Sequence, residues 1–197
     1  MSGIRIRGLF GSLLCAVAVM AAARAEKTFD QYVKVCAATS AEAGATLAAA
    51  DASGWMKMPQ SLLDSFSKDG DLFHVNQGRI FSDGERMRVL LVGEGTMPIV
   101  PGVTFRVCSV ASMSDPPEAM GEDAASFAGV PHLEGELMWV WREEEGRHVA
   151  IDYGLSDEKN RALLSRGDTR MQLVMTKEKM SSVLLFVPVT DSPSATK

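Results

Sequence analysis

Residues 29–55 read FDQYVKVCAATSAEAGATLAAADASGW. Phe29, Tyr32, Val33 and Cys36 fall at i, i+3, i+4 and i+7, the spacing of one helix face, so a helix is expected over Thr28 to Ala38. Thr28 stands where an N-cap belongs, with Gln31 three residues on to complete a capping box. Thr39-Ser40 breaks the run. Ser40 then caps a second helix through Ala50, with Glu42 in its first turn. That helix is mostly alanine around Leu47, a thin apolar side suited to close packing, and Ser53-Gly54 ends it before Trp55. From Trp55 to Gly70 the chain reads as irregular, with a helical turn or two over Ser61 to Phe66.

Downstream the apolar period changes from that of a helix to two. A strand begins at Phe73 and Val75 and reaches Phe81, and Ser82-Asp83-Gly84-Glu85 turns it into a second strand over Arg86 to Gly93. Val103, Phe105 and Val107 alternate with Thr104, Arg106 and Cys108, which places Cys108 on the face opposite Phe105. Asp115-Pro116-Pro117 opens a helix to Phe127, with Asp115 as N-cap. Leu137 to Trp141 and His148 to Tyr153 flank an acidic turn; a helix follows from Ser156 to Gly167. The last hairpin joins Met171–Thr176 to Val183–Val189. Helices first and hairpins after predict an α+β domain: N-terminal helices packed on an antiparallel sheet of about six or seven strands.

Upstream lies a leader. Arg5 and Arg7 precede the apolar run Leu9 to Ala23, and Ala23-Arg24-Ala25 places small residues at −3 and −1 before Glu26. The run is 15 residues, short of the ~20 a membrane-crossing helix needs, so residues 1–25 read as a cleaved signal peptide. Leu14 before Cys15 does not fit a lipidation site. The expected mature chain has a single domain over residues 26–190 and a polar, disordered tail at 191–197, with no integral membrane segment after cleavage. It keeps 17 basic against 25 acidic residues, a net charge of −8, which argues against nucleic acid as a partner. Its location is expected to be periplasmic or secreted.

Cys36 and Cys108 are the cysteines left after cleavage, and an even pair in an oxidising compartment is expected to form a disulfide. Other chemistry is sparse. His132-Leu133-Glu134 matches half of a zinc-deaminase motif without its Pro-Cys-x-x-Cys partner. Met56 and Met58 offer two thioethers that would suit copper(I), while the remaining methionines are dispersed and read as gap-fillers in a core. Asp64, Asp69, Asp71, Asp83 and Glu85 lack the pattern of a calcium loop and read as turn formers. No metal, cofactor or catalytic residue is therefore assigned. Trp139 and Trp141, two apart on a strand, share one face and with Trp55 are the candidate aromatic anchors for a partner.

Tyr32 four residues before Cys36, the alanine-rich run after it, and Gly54-Trp55 resemble the N-terminal part of small, uncharacterised Gram-negative envelope proteins and lipoproteins. The likeness spans about thirty residues, and the lipobox of the lipid-anchored members is missing here. The resemblance implies an envelope setting and no particular activity. The expected function is a non-enzymatic binding or interaction module, whose partner is an envelope protein or a small molecule. The alternative is an envelope hydrolase using unrecognised carboxylates or His132 and His148 as acid and base.

Overall fold

A computed structural model of the chain describes residues 26–67, 73–84, 86–97, 102–151, 157–177 and 179–189. The expected leader at 1–25, Asp69, Asp71, Glu85, Tyr153, Ser156 and the tail from Asp191 lie outside them.

The fold is α+β. Helix α1 (Thr28–Tyr32) runs on as a π-helical segment (Val33–Ala37). There follow α2 (Ala43–Ala52), β1 (Met56–Lys57), α3 (Gln60–Phe66), β2 (His74–Ser82), β3 (Met87–Thr96) and β4 (Thr104–Ser112). The second half comprises α4 (Pro117–Ala128), β5 (Met138–Glu144), β6 (Arg147–Ala150), α5 (Asp157–Leu164), β7 (Thr169–Lys177) and β8 (Met180–Pro188). The strands form one sheet in the order β1-β2-β3-β4-β8-β7-β5-β6, with every pairing antiparallel. The sheet has eight strands among the described residues, against the six or seven expected. The extra one is β1, whose two residues are too few to show a period and which exists through its pairing of Met56 with Ile80 and Lys57 with Arg79.

Alternation divides the core. On one face, Leu90 and Val92 of β3, Cys108 and Val110 of β4, Val183, Leu185 and Val187 of β8 and Val174 of β7 pack with Phe29, Tyr32, Val35, Leu47, Met120 and Ala124. Those last six come from α1, the π segment, α2 and α4. On the opposite face Leu63 of α3 joins Val75, Val89 and Leu91, and Leu164 of α5 joins Phe105, Val140, Met171 and Phe186. Phe105 and Cys108 thus point to opposite faces, as the alternation predicts.

Tertiary partners moved the helix caps away from their expected places. The N-cap of α1 is Lys27, whose backbone N–H donates to Asp30 Oδ2 at 3.2 Å. The hydroxyl of Thr28 is drawn inward instead, accepting from Arg88 Nε at 3.0 Å. Asp115 does not cap α4, where Pro116 is the N-cap; its carboxylate accepts from the Thr28 N–H at 3.1 Å. Ser40 is left-handed at φ 51°, like Ala41 at 53°, and α2 is capped by Glu42, whose carboxylate accepts from Ala45 N at 2.6 Å. Arg79 ties β2 to α2 with two bonds to Asp51, 2.6 and 3.1 Å long, and these hold the Asp51 carboxyl below its usual range.

The Cys36–Cys108 disulfide fastens the π segment to β4, with its Cα atoms 5.5 Å apart and both residues fully buried. Beside it the Tyr32 hydroxyl donates to Gln172 Oε1 at 3.0 Å, and Gln172 Nε2 donates to the Ala124 carbonyl at 3.2 Å. Burial pushes the Tyr32 phenol well above its ordinary pKa, so it stays a neutral donor. This short chain joins α1, β7 and α4 through groups that are each satisfied.

One glycine is required by close approach. Gly93 pairs with Val75 beside a bulge between Val75 and Gln77, and a Cβ there would stand 1.9 Å from the His74 carbonyl oxygen. Gly93→Ala must push two backbones apart, and an overpacking cost of about 1–3 kcal/mol is expected. Urea unfolding of that variant checks it: an unchanged midpoint would mean the β2–β3 approach is wider than described.

Candidate functional site

A groove of about 490 Å³ lies between α1 with its π segment and α4. Its floor is Phe29, Val33 and Phe127; its rim is Glu26, Asp30, Lys34 and Asp123, with Ser126 between. The local sequence explains the shape. The π segment widens the helix by one residue per turn, and such insertions recur at functional sites. On α4, Met120, Ala124 and Ala128 are buried at helical spacing. These side chains include small ones, which lets the helix lie close, and Phe127 is left at the margin, half-buried.

Phe127 is the hub of the aromatic groups around the groove. Its ring centroid is 5.9 Å from Phe29 and 6.4 Å from Tyr32, and behind it 6.2 Å from Trp141 and 5.4 Å from His148. Most of these contacts are edge-on, the geometry aromatic quadrupoles favour. Two of the rim carboxylates are paired with lysines, and Asp30 accepts the Lys27 backbone N–H. Lys27 Nζ bonds both Asp123 carboxylate oxygens at 2.9 and 3.0 Å, and Lys34 meets Glu26, which also accepts from Gln31 Nε2. The Gln31 amide oxygen, Oε1, accepts from Trp55 Nε1 at 3.2 Å. An apolar floor inside a charged, largely paired rim has the make-up of a binding surface.

The three tryptophans are not surface anchors. Trp55, Trp139 and Trp141 are 4%, 1% and 2% exposed. Trp139 and Trp141 do share a face, but it is the core face, covered in part by Phe127 of α4. Trp55 packs on Phe81 at 5.5 Å. Their sequence spacing marked a real apolar surface, and α4 folded back over it. Phe127, the aromatic that reaches the groove, was read only as the end of its helix, because it lies one position from the C-terminus of a helix built mostly of small and acidic residues.

Other candidate chemistry stays apart. His132 Nδ1 is bonded to the Leu133 carbonyl, and its ring stands 6.2 Å from Trp139. His148 Nδ1 is bonded to the Ala128 carbonyl; its Nε2 is 4.0 Å from Glu143 and its ring packs on Trp141 at 4.9 Å. Among the described residues neither histidine is hydrogen-bonded to a hydroxyl or thiol. Among them, too, no three His, Cys, Asp or Glu side chains converge as for a metal ion. Met58 is buried in the core while Met56 is 62% exposed, so the two thioethers face different surroundings. Asp64 accepts from Gln60, and Asp83 is engaged by Arg86 and Arg88. Among the described residues no helix is long and apolar enough to cross a membrane.

No family model, curated protein or solved structure matches this chain.

Proposed function

We propose that this chain is an exported envelope protein that acts by binding, and that it binds in the groove between the π segment and α4. The groove itself is the observation that carries the reading. Its volume lies within the ~300–1,000 Å³ range of small-molecule sites, and its apolar floor with a few polar groups is their usual make-up. The leader pattern, the disulfide and the envelope-protein resemblance support the location. Its expected occupant is a compact apolar ligand or one large side chain of another envelope protein.

The rival reading, a hydrolase, is favoured by one contact, the approach of His148 to Glu143. Ser126, exposed on the rim, separates the two. Wild-type protein immobilised against envelope extract, and screened by thermal shift against small molecules, should retain a stoichiometric partner or be stabilised by a ligand. Ser126→Trp, which fills the groove, should lose that response at unchanged fold. Equal binding by the variant, or a hydrolytic activity abolished by His148→Ala, would overturn the proposal.

A further inference from the structure

Methionines that are dispersed in the sequence come together in the sheet. Arg88 of β3 pairs with Ser112 of β4, and Ser112 pairs with Ser181 of β8. All three side chains are buried on the face that carries α1, α2 and α4. One residue further toward the same end of the sheet stand Met87, Met113 and Met180. Strand alternation sends Met87 and Met180 to the opposite face, and Met113 stands between them in the bend that directly follows β4. The ladder reaches this level on both sides, since Met87 pairs with Ser82 and Met180 with Lys177. The resulting row is Ser82, Met87, Met113, Met180, Lys177.

These methionines are not core gap-fillers. Met87 is 44% and Met113 59% exposed, and Met180 is half-buried. Neighbouring strands lie about 4.8 Å apart, so the outer two side chains start about 10 Å from each other. Each has three rotatable bonds before its methyl, enough for the three sulfurs to lean toward one point beside Met113. The row contains no carboxylate or imidazole, so it offers nothing to calcium, magnesium or zinc. Neutral, soft thioethers select a soft monovalent ion.

We propose that Met87, Met113 and Met180 form a three-thioether site for copper(I). The site is on the opposite face from the α1–α4 groove and does not depend on what the groove binds.

The test uses the folded, disulfide-intact chain. Copper(I), held reduced by ascorbate, is titrated against the chromophoric chelator bicinchoninate, and silver(I) is added to methionine-methyl-labelled protein for NMR. One copper(I) per chain is expected, with silver(I) shifting the methyls of Met87, Met113 and Met180. Met113→Leu, which keeps the volume and removes the central sulfur, should weaken binding by about tenfold or more. The triple leucine variant should lose the equivalent while unfolding at the wild-type temperature, and Met56→Leu should change nothing. No copper(I) uptake, uptake undiminished in the triple variant, or methyl shifts confined to Met56 and Met58 would overturn the proposal.

Discussion

Removing the Cys36–Cys108 bond is expected to lower the unfolding free energy by about 4 kcal/mol, the chain-entropy value for a loop of this size. The cysteines are 72 positions apart, so the bond restrains the unfolded chain over α2, β1, α3, β2 and β3 together. It also holds the π segment against β4, so the α1 wall of the groove depends on it. The Cys36→Ala/Cys108→Ala variant, with no thiols to re-pair, is the clean comparison. With a slope of about 2 kcal/mol/M, its urea midpoint should fall by about 2 M. Because both cysteines are fully buried, reductant should act on the wild type only as fast as the chain opens. A midpoint unchanged in the variant would mean that packing alone seats the helix.

Arg88→Met is expected to cost about 3 kcal/mol or more. Arg88 is fully buried, and its guanidinium serves three acceptors: Thr28 Oγ1 at 3.0 Å, Asp83 Oδ2 at 3.2 Å and the Glu26 carbonyl at 2.5 Å. It also lies over the Phe81 ring, 5.6 Å from the centroid. Methionine fills much of the volume but strands all three partners, and breaking one side of a buried pair typically costs about 3–5 kcal/mol. Asp83 is partly solvated, which places the expectation at the low end. Acid sensitivity should change with it. Desolvation opposes charge on Asp83, but the Arg86 N–H and the Arg88 guanidinium outweigh it and hold the carboxyl below its usual range. The stability this provides is present above the unfolded aspartate pKa of about 3.9 and is lost as pH falls through the lower folded value. Arg88→Met should lose that part of the acid transition. A variant within about 0.5 kcal/mol of wild type would show that the N-terminal strand of contacts is held by other means.

The hairpins and the disulfide were legible because each rests on short-range or compositional signals: period two, turn residues, and an even number of cysteines once the expected leader is set aside. What depended on strand order was not. β4 neighbours β8 across a long stretch of chain, so nothing local brings Ser112 beside Ser181 or tells that they share a level with Arg88. The helix caps misled for a related reason. Thr28 and Asp115 have the right chemistry to cap their own helices, but Arg88 and the Thr28 N–H are buried donors that claim them. Trp139 and Trp141 were correctly placed on one face, yet a face is neither core nor surface until its cover is known. Here the cover is α4, reached after the turn at Ser114 and Asp115. The π segment gave no signal at all, since Phe29, Tyr32, Val33 and Cys36 fit an ordinary helix equally well.

Amide and methyl NMR of the labelled, folded chain during a fragment screen addresses the binding groove most directly. Fragments that bind should perturb Phe29, Val33, Ser126 and Phe127 together, with weaker shifts at Trp141 and His148 behind the Phe127 ring. Perturbations that gather elsewhere on the molecule, leaving those four residues unmoved, would contradict the account.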